Sequence, residues 1–459
     1  MSEEIAGWLK SEESKEYFEL LRFQSVGAEP EKLRETAQCA AWLKKWLKKL
    51  GAEARLVLPP PGSEAAVAPP VVFAEIKGRE DAPVILVYGH YDVQPPDPLE
   101  LWDSPPFEPT VKGARVYARG AQDDKGQLFA LLCGIRQAMA ERPGALPTIK
   151  FVLEGQEESG SAALTKLAPE MRRELVADIL LVCDSPAAPG LRPAIVAGLR
   201  GVNHFTLTLT AASRDLHSGE YGGVAPNAAQ GMAELVASLH NADGSIAVKG
   251  FLDGIEPPLA AELETAEANT PDEKAWREDI GCDPAGGEKG KSIARRNSFE
   301  PTIEINGIHS GYGGSGSKTV IPSVAVAKLS TRLVPGQSPM LAFAAVKDHL
   351  MARVPQGMKL EIGEFTGGAP GFRLPMASPL FRLAESILAE MDRRGPVFQW
   401  DGASIPVVST LAEVSGAAPL IVGWGQSEDR IHSPNESFST VQFAAAKEWG
   451  RRIALAFAP

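Results

Sequence analysis

Four short apolar runs constrain this 459-residue chain more than any other feature, because each stops at a histidine or an acid. Residues 84–88 run into His90 and Asp92, and residues 149–153 into Glu154, Glu157 and Glu158. Residues 179–183 run into Asp184, and residues 419–425 lead to Glu428, Asp429 and His432. A continuous apolar run of this length reads as a short strand buried on both faces. Helical patterns such as 128–139 alternate with the strands, so a mostly parallel sheet is expected. Ligands of such sheets bind beyond the carboxyl ends of the strands. The candidate ligands therefore gather at one edge. His90 and Asp92 lie two apart in extended chain and leave on the same side, so one can bind a metal while the other orients it.

A second acidic group, Asp123 and Asp124, precedes the 128–139 helix. An aspartate at a helix start is ordinarily an N-cap. Two of them, beside Lys125 and after an Arg119-Gly120 turn, are more than a cap requires; capping and ligation both stay open.

The length predicts two domains. Hydrophobic content of 44% with 23% charged residues describes a globular protein. A net charge of −12 argues against a nucleic-acid or anionic-membrane partner. No apolar stretch approaches the ~20 residues that span a bilayer, and the first eight residues lack the pattern of a secretory signal. Cys39, Cys133, Cys183 and Cys282 form no C-x-x-C pair, so reduced thiols and a cytoplasmic location are expected.

Residues 13–50 carry helical periodicity up to Gly51, a Pro-rich loop covers 58–70, and a strand resumes at 71–77. A different region follows. Residues 201–211, 299–306, 324–333 and 358–364 resemble half-exposed antiparallel strands, accompanied by a helix over 227–239 and an acidic stretch over 256–283. The expected fold class is therefore α/β. A discontinuous domain with a mostly parallel sheet, residues 1–198 and 371–459, is interrupted by an α+β insert, residues 199–370. The loop around Gly311–Lys318 imitates a phosphate-binding loop, but Ser317 separates its glycine from its lysine and a strand follows instead of a helix. Neither a G-x-S-x-G elbow nor an H-E-x-x-H helix is present. Metal chemistry is the reading left standing.

The segments Gly89-His-Tyr-Asp-Val-Gln-Pro95, Asp123-Asp-Lys-Gly126, Leu153-Glu-Gly-Gln-Glu-Glu-Ser-Gly160 and Ile431-His-Ser-Pro-Asn-Glu436 together resemble the M20 family of metallopeptidases. The branch most similar is the nonspecific dipeptidases and carnosinase-like enzymes. The resemblance implies two divalent ions per subunit, zinc or manganese, and a small peptide substrate. It implies that His90, Asp123, Glu158, Asp184 and His432 are the ligands, with Asp123 bridging. It further implies that Asp92 orients His90 and that Glu157 is the general base. Aspartate at 184 accompanies aminopeptidases and dipeptidases among relatives, whereas glutamate accompanies carboxypeptidases and deacylases. The insert resembles a lid through which subunits pair as homodimers, with His217 reaching the partner's oxyanion. Thr319, Arg332 and Ser404 resemble substrate-holding residues, Arg332 being suited to a C-terminal carboxylate. The chain departs from the dipeptidase pattern at Asp401, Ala403 and Ser378, which touches substrate choice and not the metal ligands. The alternatives are an N-acyl amino acid deacylase or amidase on the same scaffold, and a catalytically silent binding protein; loss of a ligand or of Glu157 would signal the latter, and none is lost.

Overall fold

The computed structural model describes residues 3–59, 68–402 and 404–459; part of the Pro-rich 58–70 loop and Ala403 lie outside the described residues. The chain divides into two compact units. One comprises residues 1–197, 374–399 and 410–459, the other residues 198–373 and 400–409.

The first unit is built on a sheet in the order Glu53–Val57, Val71–Ile76, Ile149–Glu154, Ile85–His90, Ile179–Val182, Ala418–Ile421, Ala194–Leu199. The four strands in its middle pair in parallel. These are the strands that end in His90, Glu154, Asp184 and the His432 segment. Pairings on the flanks are antiparallel, so the sheet is mixed and its parallel character is confined to the centre. Antiparallel neighbours need no crossover helix. Ile85–His90 and Ile149–Glu154 are buried at every position, as a sheet covered on both faces requires. Their register sets His90 opposite Glu154 and brings the two acidic ends level.

Two helices hold the loops above that edge. Lys125–Glu141 and Thr440–Leu455 cross so closely that only glycine fits at the crossing. A Cβ on Gly134 would stand 2.0 Å from the Lys447 carbonyl oxygen, and one on Gly450 2.5 Å from that of Leu131. Tyr17, Trp46, Phe129 and Phe443 pack beside them. The buried Tyr17 hydroxyl donates to the Ala121 carbonyl, which ties this aromatic core to the loop preceding Asp123.

The second unit is a four-stranded antiparallel sheet in the order Thr302–Ser310, Val324–Leu333, Gly201–Thr210, Lys359–Ala369. From Phe205 onward, Gly201–Thr210 alternates buried and partly exposed residues, the period expected when one face is covered. Phe205, Leu207 and Leu209 form a core with Met232 and Leu235 of helix Ala228–Ala237 and Val346 and Leu350 of helix Pro339–Met351. Residues 400–409 belong here and not, as expected from the sequence, to the first unit. Arg200 Nε donates to the Gly402 carbonyl at 3.0 Å, Ser298 Oγ to the Trp400 carbonyl at 2.6 Å, and the rings of Phe299 and Trp400 lie 5.5 Å apart. Among the described residues no helix is long and apolar enough to cross a membrane, and all four cysteines are unpaired.

Candidate metal centre

His90 ends its strand fully buried. Its Nδ1 lies 3.2 Å from the Asp92 carbonyl oxygen and 3.4 Å from Asp92 Oδ1, which leaves Nε2 to face outward. Asp92 is equally buried, and its two carboxylate oxygens accept from the Glu157 and Glu158 amides at 3.2 Å each. One side chain thus fixes both the imidazole and the turn carrying the two glutamates. Gln94 adds a bond that sequence reasoning missed: its Nε2 donates to Glu158 Oε2 at 2.8 Å.

Asp123 stands between two imidazoles. Oδ1 is 3.2 Å from His90 Nε2, and Oδ2 is 2.9 Å from His432 Nε2. His432 Nε2 is also 3.3 Å from Glu158 Oε2, and His90 Nε2 is 3.7 Å from Asp184 Oδ2. Among the described residues, two groups have ligand atoms all within 4.8 Å of one another: His90, Asp124 and Asp184, and Asp123, Glu158 and His432. The first group contains Asp124 where the resemblance implies Asp123. Each residue enters with one atom only, whereas Asp123 presents a separate oxygen to each imidazole, so we give Asp123 the place between the groups. Asp124 Oδ2 accepts from the His90 amide at 3.3 Å, while its Oδ1 has no hydrogen-bond partner. Asp124 does hold the N-cap position of helix Lys125–Glu141, yet its side chain caps nothing. The peptide joining Asp123 to Asp124 is cis.

Electrostatics point the same way. Burial pushes Asp184 up to about 7, with Asp123 adding to it. Burial likewise pushes Glu157 up to about 8, against the pull of His90 and with the help of Asp184 and Glu158. Asp123 is held below the usual carboxylate range despite burial, because the His432 and His90 imidazoles lie against its two oxygens. Hydrogen bonds to Asp123 and then Glu158 raise His432 to about 10. Buried carboxylates outnumber the cations facing them, and such a set is neutral only with extra protons or with bound cations. His90 Nε2, Glu158 Oε1 and Asp124 Oδ1 are buried without a hydrogen-bond partner. Imidazole nitrogen and carboxylate oxygen are the donor set zinc and manganese accept. The residues fit divalent ions. Glu157 joins neither ligand group.

Four further candidates lie in the second unit. His217 Nδ1 accepts from the Gly219 amide at 3.0 Å, so the neutral ring carries its proton on Nε2, which is 3.3 Å from Thr319 Oγ1. Both residues are exposed. Arg332 Nη1 donates to Ser404 Oγ at 2.7 Å, and Ser404 donates onward to the Arg200 carbonyl. Of the three departures, Asp401 ends the strand Val397–Asp401. Ser378 caps the helix Pro379–Met391, its Oγ accepting from the Phe381 amide at 3.2 Å.

The sequence profile described as Peptidase family M20/M25/M40 matches residues 86–456. The Beta-Ala-His dipeptidase of Rattus norvegicus is 27% identical over 402 residues, covering 83% of this chain and 78% of the relative. The Cys-Gly metallodipeptidase dug1 of Schizosaccharomyces pombe is 28% identical over 382 residues, covering 82% and 80%. The crystal structure of the M20 family metallo-carboxypeptidase Sso-CP2 from Sulfolobus solfataricus superposes with a TM-score of 0.84 at 28% identity, over 97% of this chain and 98% of that one. A profile that spans most of the chain, from the His90 strand to the last helix, settles the question of kinship: this chain belongs to peptidase family M20/M25/M40.

Proposed function

We propose that this peptidase hydrolyses dipeptides or short peptides with the help of two divalent ions, zinc or manganese. The observation that carries the proposal is the placement of one carboxylate, Asp123, with an oxygen toward each of two imidazoles. On this reading His90, Asp123 and Asp184 hold one ion and Asp123, Glu158 and His432 the other. When bound, such a pair supplies Lewis acidity, polarising the scissile carbonyl and making an attacking water more acidic. Glu157, outside both ligand groups and raised by burial, accepts that water's proton and delivers it to the leaving amine nitrogen. Asp92 keeps His90 and the Glu157–Glu158 turn in register. His217, with its proton on Nε2, is suited to donate to the developing oxyanion from a partner subunit, with Thr319 beside it. Arg332, with Ser404, binds the substrate's C-terminal carboxylate. This reading takes the enzyme to be cytoplasmic and a homodimer formed through residues 199–370.

The named dipeptidase relatives favour the dipeptidase reading, as does aspartate at 184. A second reading, a carboxypeptidase that trims short peptides, is favoured by the similarity to Sso-CP2. One panel separates them. Metal-stripped protein reloaded with Mn²⁺ or Zn²⁺ is assayed on free dipeptides, N-acylated dipeptides, tripeptides and N-acyl amino acids. Cleavage restricted to free dipeptides supports the first reading; equal cleavage of N-acylated dipeptides and tripeptides supports the second. Preference for N-acyl amino acids would revive the deacylase, and full turnover in the stripped protein would sink the metal mechanism.

A further inference from the structure

Glu436, four residues beyond His432, is buried completely and has no exposed atom to spare for solvent. Its Oε2 accepts from Arg119 Nη1 and from the Gly120 amide, both at 2.8 Å. Its Oε1 accepts from the Gln122 amide at 2.9 Å and the Asp123 amide at 3.1 Å. The Glu436 carbonyl oxygen also receives the Ala118 amide at 3.1 Å. Arg119, just as deeply buried, passes Nη2 to the Pro95 carbonyl at 3.2 Å and lies over the Trp102 ring at 5.4 Å. One ion pair therefore touches three loops: the one leaving His90 and Asp92, the one carrying Asp123, and the one carrying His432.

The third loop needs such an anchor. Arg430, His432 and Asn435 have φ of 56°, 58° and 65°, a conformation that non-glycine residues avoid, and one that persists only where surrounding contacts over-determine it. Asn435 supplies one tie, accepting from the Asp103 amide and donating to the Leu101 carbonyl. Glu436 supplies the other. A buried ion pair is a poor source of net stability, because desolvation offsets most of the attraction. Its four directed bonds to a ligand loop instead fix geometry.

We propose that the Arg119–Glu436 pair is a positioning element that sets the spacing of Asp123 and His432, and so the affinity for the ion these two share. The inference rests on the metal reading above. Orienting contacts of this kind change metal affinity by ~10–100-fold, and that is the loss expected for Glu436→Gln, whose amide nitrogen must face donors. The test is calorimetric titration of metal-stripped full-length protein with Mn²⁺ or Zn²⁺, beside the thermal midpoint of the stripped form. Arg119→Met leaves a buried carboxylate alone and lowers the midpoint. The double variant Arg119→Met/Glu436→Gln removes both charges and should recover much of the midpoint, while ion affinity stays at least ~10-fold down. Arg119→Lys, which keeps the charge but loses the two-pronged donation, should also weaken binding by ~10-fold. Wild-type affinity in Glu436→Gln or Arg119→Lys overturns the proposal. Affinity that returns together with the midpoint in the double variant overturns it too, since the pair is then merely structural. Wild-type protein that takes up no ion overturns the underlying metal reading, a distinct result.

Discussion

The candidate-site histidines of the two units have opposite kinds of partner. His90 and His432 are fixed against carboxylates, and His90 has no exposed surface at all. His217 lies exposed on a two-residue strand pair, with a backbone amide and the Thr319 hydroxyl as its partners. Carboxylates set close to both imidazoles, one of them buried and the other half exposed, give the first unit a candidate metal site with its polar groups already gathered. An exposed imidazole whose Nε2 meets only a hydroxyl can exchange that partner for another acceptor. The two units therefore offer different chemistry: one imidazoles gathered among carboxylates, the other an exposed imidazole beside a hydroxyl.

That contrast can be broken most severely at Glu157. Glu157→Gln keeps the ligands and removes the proton acceptor, so turnover should fall ~10²–10⁴-fold while metal content, measured by plasma emission, stays at the wild-type value. Equal loss of metal would show that Glu157 and Glu158 have exchanged roles.

The next largest effect concerns His217. Loss of an oxyanion donor costs ~10²–10³ in rate, expected here for His217→Ala. If that histidine serves the partner subunit, mixing His217→Ala with Glu157→Gln protein under subunit exchange should regenerate up to about a quarter of wild-type activity, by random pairing of independent donor and acceptor sites. Exchange demonstrated by mass spectrometry without recovery would confine His217 to its own chain or to no role.

Arg332→Met sharpens the comparison from the substrate side. A hydrogen bond to a charged group contributes about 1.5–3 kcal/mol. KM for peptides with a free C-terminus should therefore rise by about 10–100-fold, with little change for C-terminally amidated ones. Equal losses on both substrate types would assign Arg332 a structural part through Ser404.

The smallest effect is on stability. Gly134→Ala forces a methyl group against the Lys447 carbonyl, and overpacking of this kind costs about 1–3 kcal/mol. The thermal midpoint should drop without change in KM. An unchanged midpoint would mean that the helix crossing relaxes freely.

Much of this was written in the chain. Apolar runs that end in His90, Glu154 and Asp184 dictate buried strands with acids at one end, because side-chain transfer from water depends on residue type alone. Alternation in residues 201–211 likewise dictates a half-covered antiparallel strand. Composition and period settle such matters locally. What they leave open are contacts between segments distant in sequence. Whether Asp124 caps its helix or bonds to His90 depends on a strand 34 residues earlier. That Glu436 closes on the amides of Gly120, Gln122 and Asp123 depends on segments more than 300 residues apart coming together. Likewise, residues 400–409 join the second unit through Arg200 and Ser298, and nothing near them in sequence says so. Residue chemistry named the candidate ligands' type and order. Packing alone decided which oxygen faces which imidazole, because hydrogen bonds are directional and long-range pairs acquire direction only after the chain has closed around them.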